Sequence, residues 1–137
     1  MSQVRHTQGN TAYLRQRGGQ AIVFPGAYIT DRGVLKGTGA TAGTGLIHLS
    51  TFQNGLSELE HEYGHFLQAL MYGQIAYNGI IVPASIWSAS TNSSDHHNFW
   101  TEQDANAWAT CFFGLNSAIG RNSFYPKKFS FLFNKLK

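Results

Sequence analysis

Residues 56–72, LSELEHEYGHFLQALMY, carry the pattern on which the fold of this chain turns. Leu56, Leu59, Tyr63, Phe66, Leu67 and Leu70 recur at intervals of three and four, the spacing of one helical face. A helix is therefore expected over about 57–72, with Gly73 as its stop. Within it, His61-Glu62-Tyr63-Gly64-His65 has the form HExxH. Two histidines four residues apart lie one above the other and can share one zinc ion, while Glu62 projects to the side where an attacking water would sit. At about 100° per residue both histidines point away from the apolar stripe, so the helix has a ligand face and a core face. Gly64, near the ligand face, is expected to admit a neighbouring strand at close range.

A catalytic zinc takes three protein ligands and keeps a fourth position open. Glu102 is the expected third ligand, near the start of a second helix over about 101–113 that Gly114 ends. Asn106, one turn further on, shares its face and can accept a hydrogen bond from a ligand histidine, which orients the ring. Ala105 and Ala109 keep that face narrow, so the two helices can pack closely. Asp95, His96, His97 and Asp104 compete with Glu102 for the ligand role. Asp104 follows Thr101 at capping-box spacing and is assigned to the helix start. His96 and His97 are assigned to catalysis, one of them donating a hydrogen bond to the developing oxyanion. Cys111 falls opposite Glu102 and is expected in the core.

On the N-terminal side, Gln20–Thr30 (QAIVFPGAYIT) reads as two strand pieces around a bend at Pro25-Gly26. Gly45–Thr51 (GLIHLST) reads as a strand whose edge could pair with an extended peptide. Between them, Gly33–Gly45 lacks both phosphate-loop spacings and is expected as a loop or loosely paired strands. Residues 1–20 show no clear period and are expected to be poorly ordered. Residues 74–98 are mixed, with an apolar run at Ile80–Pro83 and a Ser/Asn-rich loop carrying His96 and His97. Phe129, Phe131 and Phe133 alternate in a segment that suits a strand or a last helix. The expected fold class is α+β: one small zincin-like domain over 1–137, with a short N-terminal β-sheet and two ligand helices.

Composition narrows the function. At 137 residues, 42% hydrophobic and 12% charged, the chain can bury a core as a single domain. Its net charge of +3 alone would permit a nucleic-acid partner, but six of the seven acidic residues, Glu58, Glu60, Glu62, Asp95, Glu102 and Asp104, cluster mid-chain. That distribution suits a cation better than a polyanion, so no nucleic acid is expected. One cysteine excludes an internal disulfide and the cysteine pair of a zinc nucleobase deaminase. No apolar run reaches bilayer length and the N-terminus lacks a signal-peptide core, so a soluble chain with no membrane span is expected.

HEYGHFLQ (61–68) together with TEQDAN (101–106) resembles the gluzincin branch of zinc metallopeptidases, whose third ligand is a glutamate on a later helix with Asp or Asn one turn on. More narrowly, HEYGHFLQ, VPASIWSA (82–89), the histidine-bearing loop and WTEQDANAWA (100–109) resemble metallopeptidase domains at the C-terminal ends of bacterial RHS-type polymorphic toxins. The resemblance spans about residues 56–126. It implies a zinc peptidase acting on a peptide or protein substrate, delivered as the C-terminal part of a larger secreted protein and neutralised by an immunity protein. Asn106 departs from the commoner Asp, and a neutral amide raises the basicity of its histidine less. Two alternatives stay open: a zinc hydrolase of a non-peptide amide, ester or cell-wall substrate, and a zinc-stabilised binding module in which His96 or His97 fills the fourth position.

Overall fold

The computed structural model of the chain describes residues 3–7, 11–15, 21–30, 39–41, 45–49 and 55–137, and these residues mix helix and strand in an α+β arrangement. Strands β1 (Gln3–Thr7), β2 (Thr11–Arg15) and β3 (Ala21–Phe24) form an antiparallel sheet in that order. In register, Val4 pairs with Leu14, and Leu14 with Ile22. The strands β1 and β2 stand where no element was expected. Their alternation is too short and too polar to register as a period, and pairing with β3 supplies what the local pattern lacks.

The chain turns between β3 and β4 (Tyr28–Thr30) at the expected bend. Ala27 N donates to Phe24 O at 3.2 Å, with Pro25 at the second turn position and Gly26 at the third in a left-handed conformation (φ 78°). That is the combination a type II turn requires. Next, β5 (Gly39–Thr41) and β6 (Leu46–Leu49) join β4 in the order β4-β6-β5. β6 runs parallel to β4 and antiparallel to β5. β6 is therefore paired on both sides and cannot offer the edge expected of it; β5 is an edge strand of the described sheet. The rest of the Gly33–Gly45 stretch lies outside the described residues.

Helix α1 (Gly55–Tyr72) packs its apolar face on this layer. Leu59, Tyr63 and Leu67 join Phe24, Ala27, Ile29 and Ile47 in one buried cluster. Tyr63 also ties the helix to the turn, its hydroxyl donating to Pro25 O at 2.6 Å. Leu70, counted in the apolar stripe, is 63% exposed. After Gly73, a short helix α2 (Gln74–Ala76) and a π-turn (Tyr77–Ile81) lead into α3 (Val82–Thr91). This stretch reads as mixed from sequence, and it contains Gly79 and Pro83, residue types that disfavour helix on average. Pro83 instead sits in the first turn of α3, directly after the wider π-turn over Tyr77–Ile81. A 3-10 turn (Ser93–Asn98) carries His96 and His97 into α4 (Trp100–Phe113). Two single-turn helices, α5 (Ala118–Arg121) and α6 (Phe131–Asn134), follow.

α4 starts without a side-chain cap, so Thr101 and Asp104 do not form the expected capping box; both are buried inside the helix. Cys111 is exposed rather than buried. The close neighbour of Gly64 is α4, not a strand. A Cβ on Gly64 would collide with the Ala105 carbonyl and come within 3.2 Å of Ala109 Cβ. No helix among the described residues is long and apolar enough to cross a membrane.

Gly64→Ala should force α1 and α4 apart. We expect a loss of stability on the order of 1–3 kcal/mol, the usual penalty of overpacking, read as a lower midpoint in urea unfolding.

Candidate metal centre

The close approach of α1 and α4 brings their ligand faces together. His61 Nε2 and His65 Nε2 lie 3.2 Å and 3.1 Å from the same oxygen, Glu102 Oε2. Among the described residues these three form a group whose candidate ligand atoms all lie within 4.8 Å of one another. Ligand atoms about 2.0–2.1 Å from one tetrahedral ion lie about 3.3 Å apart, close to the two nitrogen–oxygen distances here, so the group could hold a metal ion.

The hydrogen bonds behind the rings fix which nitrogen is free. Asn106 Nδ2 donates to Pro126 O at 2.9 Å, which turns Asn106 Oδ1 towards His61 Nδ1 at 2.6 Å. Gln68 Nε2 donates to Thr101 O at 2.9 Å, which turns Gln68 Oε1 towards His65 Nδ1 at 2.8 Å. An amide oxygen only accepts, so each Nδ1 carries the proton and each Nε2 presents a lone pair. Two lone pairs and a carboxylate oxygen thus face one another with no donor between them. Such a set needs a cation, whether protons on the rings or a metal ion.

Without a metal, protons take that place. Burial works against the His65 imidazolium, but the Glu102 carboxylate, Glu62 and the Gln68 oxygen outweigh it and lift the ring to about 9. His61 is raised in the same way against its own burial, chiefly by its bond to Glu102. For Glu102, burial favours the neutral acid, yet the two imidazoles hold it well below the usual carboxylate range. Its second oxygen, Oε1, accepts from Ser85 Oγ at 2.8 Å and Thr101 Oγ1 at 2.9 Å, which leaves Oε2 to the histidines.

A cleft of about 320 Å³ opens beside this group, lined by His65, Glu62 and Glu102 and walled by Tyr77, Ile81, Val82 and Ile86. Glu62 is buried and does not join the converging set. Its Oε2 and its main-chain oxygen both accept from the Thr41 hydroxyl, at 2.7 Å and 2.9 Å, so β5 pins the side chain at the cleft. Tyr77 steadies that strand in turn, its hydroxyl donating to Thr41 O at 3.2 Å.

The two loop histidines part company. His96 lines the cleft, with Nδ1 3.0 Å from Ser88 Oγ and Nε2 3.5 Å from Glu102 Oε1. His97 does not line it; its ring stacks on Phe124 at 4.5 Å. Asp95 is exposed and bonded to Asn98 Nδ2. Of the acidic residues that cluster in the sequence, Glu60 is buried elsewhere, accepting from Ile119 N. Gln68, Thr41, Ser85 and Tyr77 were not singled out by sequence. Only Gln68 carried a signal, since it lies three residues beyond His65 and so within one helical turn of it. No family model, curated protein or solved structure matches the chain.

Replacing His61, His65 or Glu102 with alanine should drop bound zinc from one ion per chain to none, measured by elemental analysis after dialysis. In the metal-free protein, His65 binds its proton more tightly when folded than when unfolded. Its stabilisation is therefore complete below about pH 6.5 and fades as the pH rises through about 9. Melting temperature in chelator should fall over that window, and saturating zinc should remove the fall.

Proposed function

We propose that the chain is a zinc-dependent hydrolase of zincin-like, gluzincin type that cleaves peptide bonds. One observation carries the proposal: the lone pairs of His61 and His65 converge with Glu102 at a cleft that a separately anchored carboxylate, Glu62, also lines. A zinc ion held by those three ligands supplies Lewis acidity and lowers the pKa of water in its open position to about 7.

The chain's own groups supply the rest. Glu62, held through Oε2 by Thr41, has Oε1 left to take a proton from the attacking water and pass it to the leaving amine. His96 lines the same cleft and is the nearer of the two loop histidines to Glu102, so the oxyanion-stabilising role falls to it rather than to His97. His96 also lies outside the converging set, which favours an open fourth position over the closed site of a purely structural zinc. A peptide substrate is supported by β5, an edge strand that ends at Thr41 beside Glu62, and by the apolar wall of Ile81, Val82 and Ile86. The resemblance of the 56–126 segment to RHS-type toxin metallopeptidase domains extends the proposal to an effector restrained by an immunity protein.

Glu62→Gln should retain one zinc per chain and lose at least about 10²-fold in turnover, the scale of a general base. The assay is hydrolysis of a fluorescent protein substrate by zinc-loaded wild type and variant. Equal turnover by the two would overturn the role of Glu62.

A further inference from the structure

Asp104 lies fully buried on α4, outside the cleft, and carries three hydrogen bonds. Ser130 N donates to Oδ1 at 2.7 Å and the Tyr72 hydroxyl donates to the same oxygen at 2.8 Å. Tyr72 uses its one hydrogen there, and its oxygen receives Trp108 Nε1 at 3.0 Å. Oδ2 receives Gln68 Nε2 at 2.8 Å. Both hydrogens of the Gln68 amide are thereby used, one on Asp104 and one on Thr101 O. Gln68 Oε1 has no choice but to face His65 Nδ1.

We propose that Asp104 is a positioning residue for His65: acting through the Gln68 amide, it selects the ring tautomer whose Nε2 can hold a metal ion. The proposal rests on the metal site argued above and deepens it. Its physical content is a chain of fixed polarity. The carboxylate only accepts, so the Gln68 nitrogen must point to it, the Gln68 oxygen must point to the ring, and the ring proton must sit on Nδ1. Asparagine at 104 has the same shape and breaks the chain at its first link. Ser130 N and Tyr72 still demand an acceptor, so the new amide nitrogen falls where Oδ2 was, donor against donor with Gln68 Nε2. With Asp104 gone only Thr101 O still holds the Gln68 nitrogen, and an amide that turns over at the cost of that bond presents a donor to His65 Nδ1 and drives the proton to Nε2, the atom needed for the metal.

The test is zinc affinity, measured by competition with a chromophoric chelator and independent of any substrate. Asp104→Asn should weaken zinc binding about 10–100-fold, the usual effect of losing a partner that orients a ligand. The double variant Gln68→Glu/Asp104→Asn restores an acceptor to His65 and a donor–acceptor match at position 104, and should recover part of that loss although it gives up the bond to Thr101 O. A residue needed only for packing would show no such recovery. Wild-type affinity in Asp104→Asn, or no recovery in a double variant that melts cooperatively, overturns the proposal. If Asp104→Asn does not fold, Gln68→Met takes its place: it removes the oxygen from His65 Nδ1, and unchanged affinity would overturn the relay equally. A wild type that binds no zinc at all would instead remove the metal site itself, an outcome distinct from equal binding by wild type and variant.

Discussion

The contact on which the rest depends is the one between Gly64 of α1 and the main chain at Ala105 of α4. It has the same register on both helices. His61 and His65 lie three residues before Gly64 and one after it; Glu102 and Asn106 lie three before Ala105 and one after it. Bringing the two backbones into contact at that point therefore sets both histidines against the carboxylate and one of them against its orienting amide. Ala109, also beside Gly64, keeps the next turn equally slim. The convergence is a property of two packed helices and one missing side chain.

The buried carboxylates around this contact behave differently because each has different neighbours. Glu102 faces two imidazoles and stays charged. Glu60 meets main-chain N–H groups near Ile119, and burial still raises its pKa above the ordinary value. Asp104 is surrounded by three donors, two from α1 and one from the main chain at Ser130. Mid-chain clustering in the sequence thus mixes acids of unrelated purpose, and only Glu62 and Glu102 of the set reach the cleft.

What the sequence made legible follows from the range over which its signals act. α1 was readable because its apolar residues keep helical periodicity up to Gly73, the end of α4 because Gly114 marks it, and Asn106 because it lies one turn from Glu102. The Thr101/Asp104 pair misled because three-residue spacing occurs at a helix start and in its interior alike; burial separates the two, and burial is not local. The π-turn and α3 were hidden by Gly79 and Pro83, whose breaking tendency is an average over contexts. Thr41 on Glu62 and Ser85 on Glu102 join residues 21 and 17 apart with no shared period, so nothing in the chain announced them. To the motif at 61–65 the structure adds that His61, His65 and Glu102 converge as a group that could hold a metal ion.

The segment after α5 carries a consequence of a different kind. Pro126 O holds the Asn106 amide and Ser130 N holds Asp104, so the groups that orient both histidines are themselves tied down by the last stretch of chain. A growing polypeptide leaves the ribosome at about 5–20 residues per second, and α1 and α4 emerge before residues 126–130 do. Both helices can be in place while their histidines still lack a settled tautomer. Order of synthesis thereby becomes an order of assembly: the three converging side chains are made before the segment that fixes the amides behind the two rings.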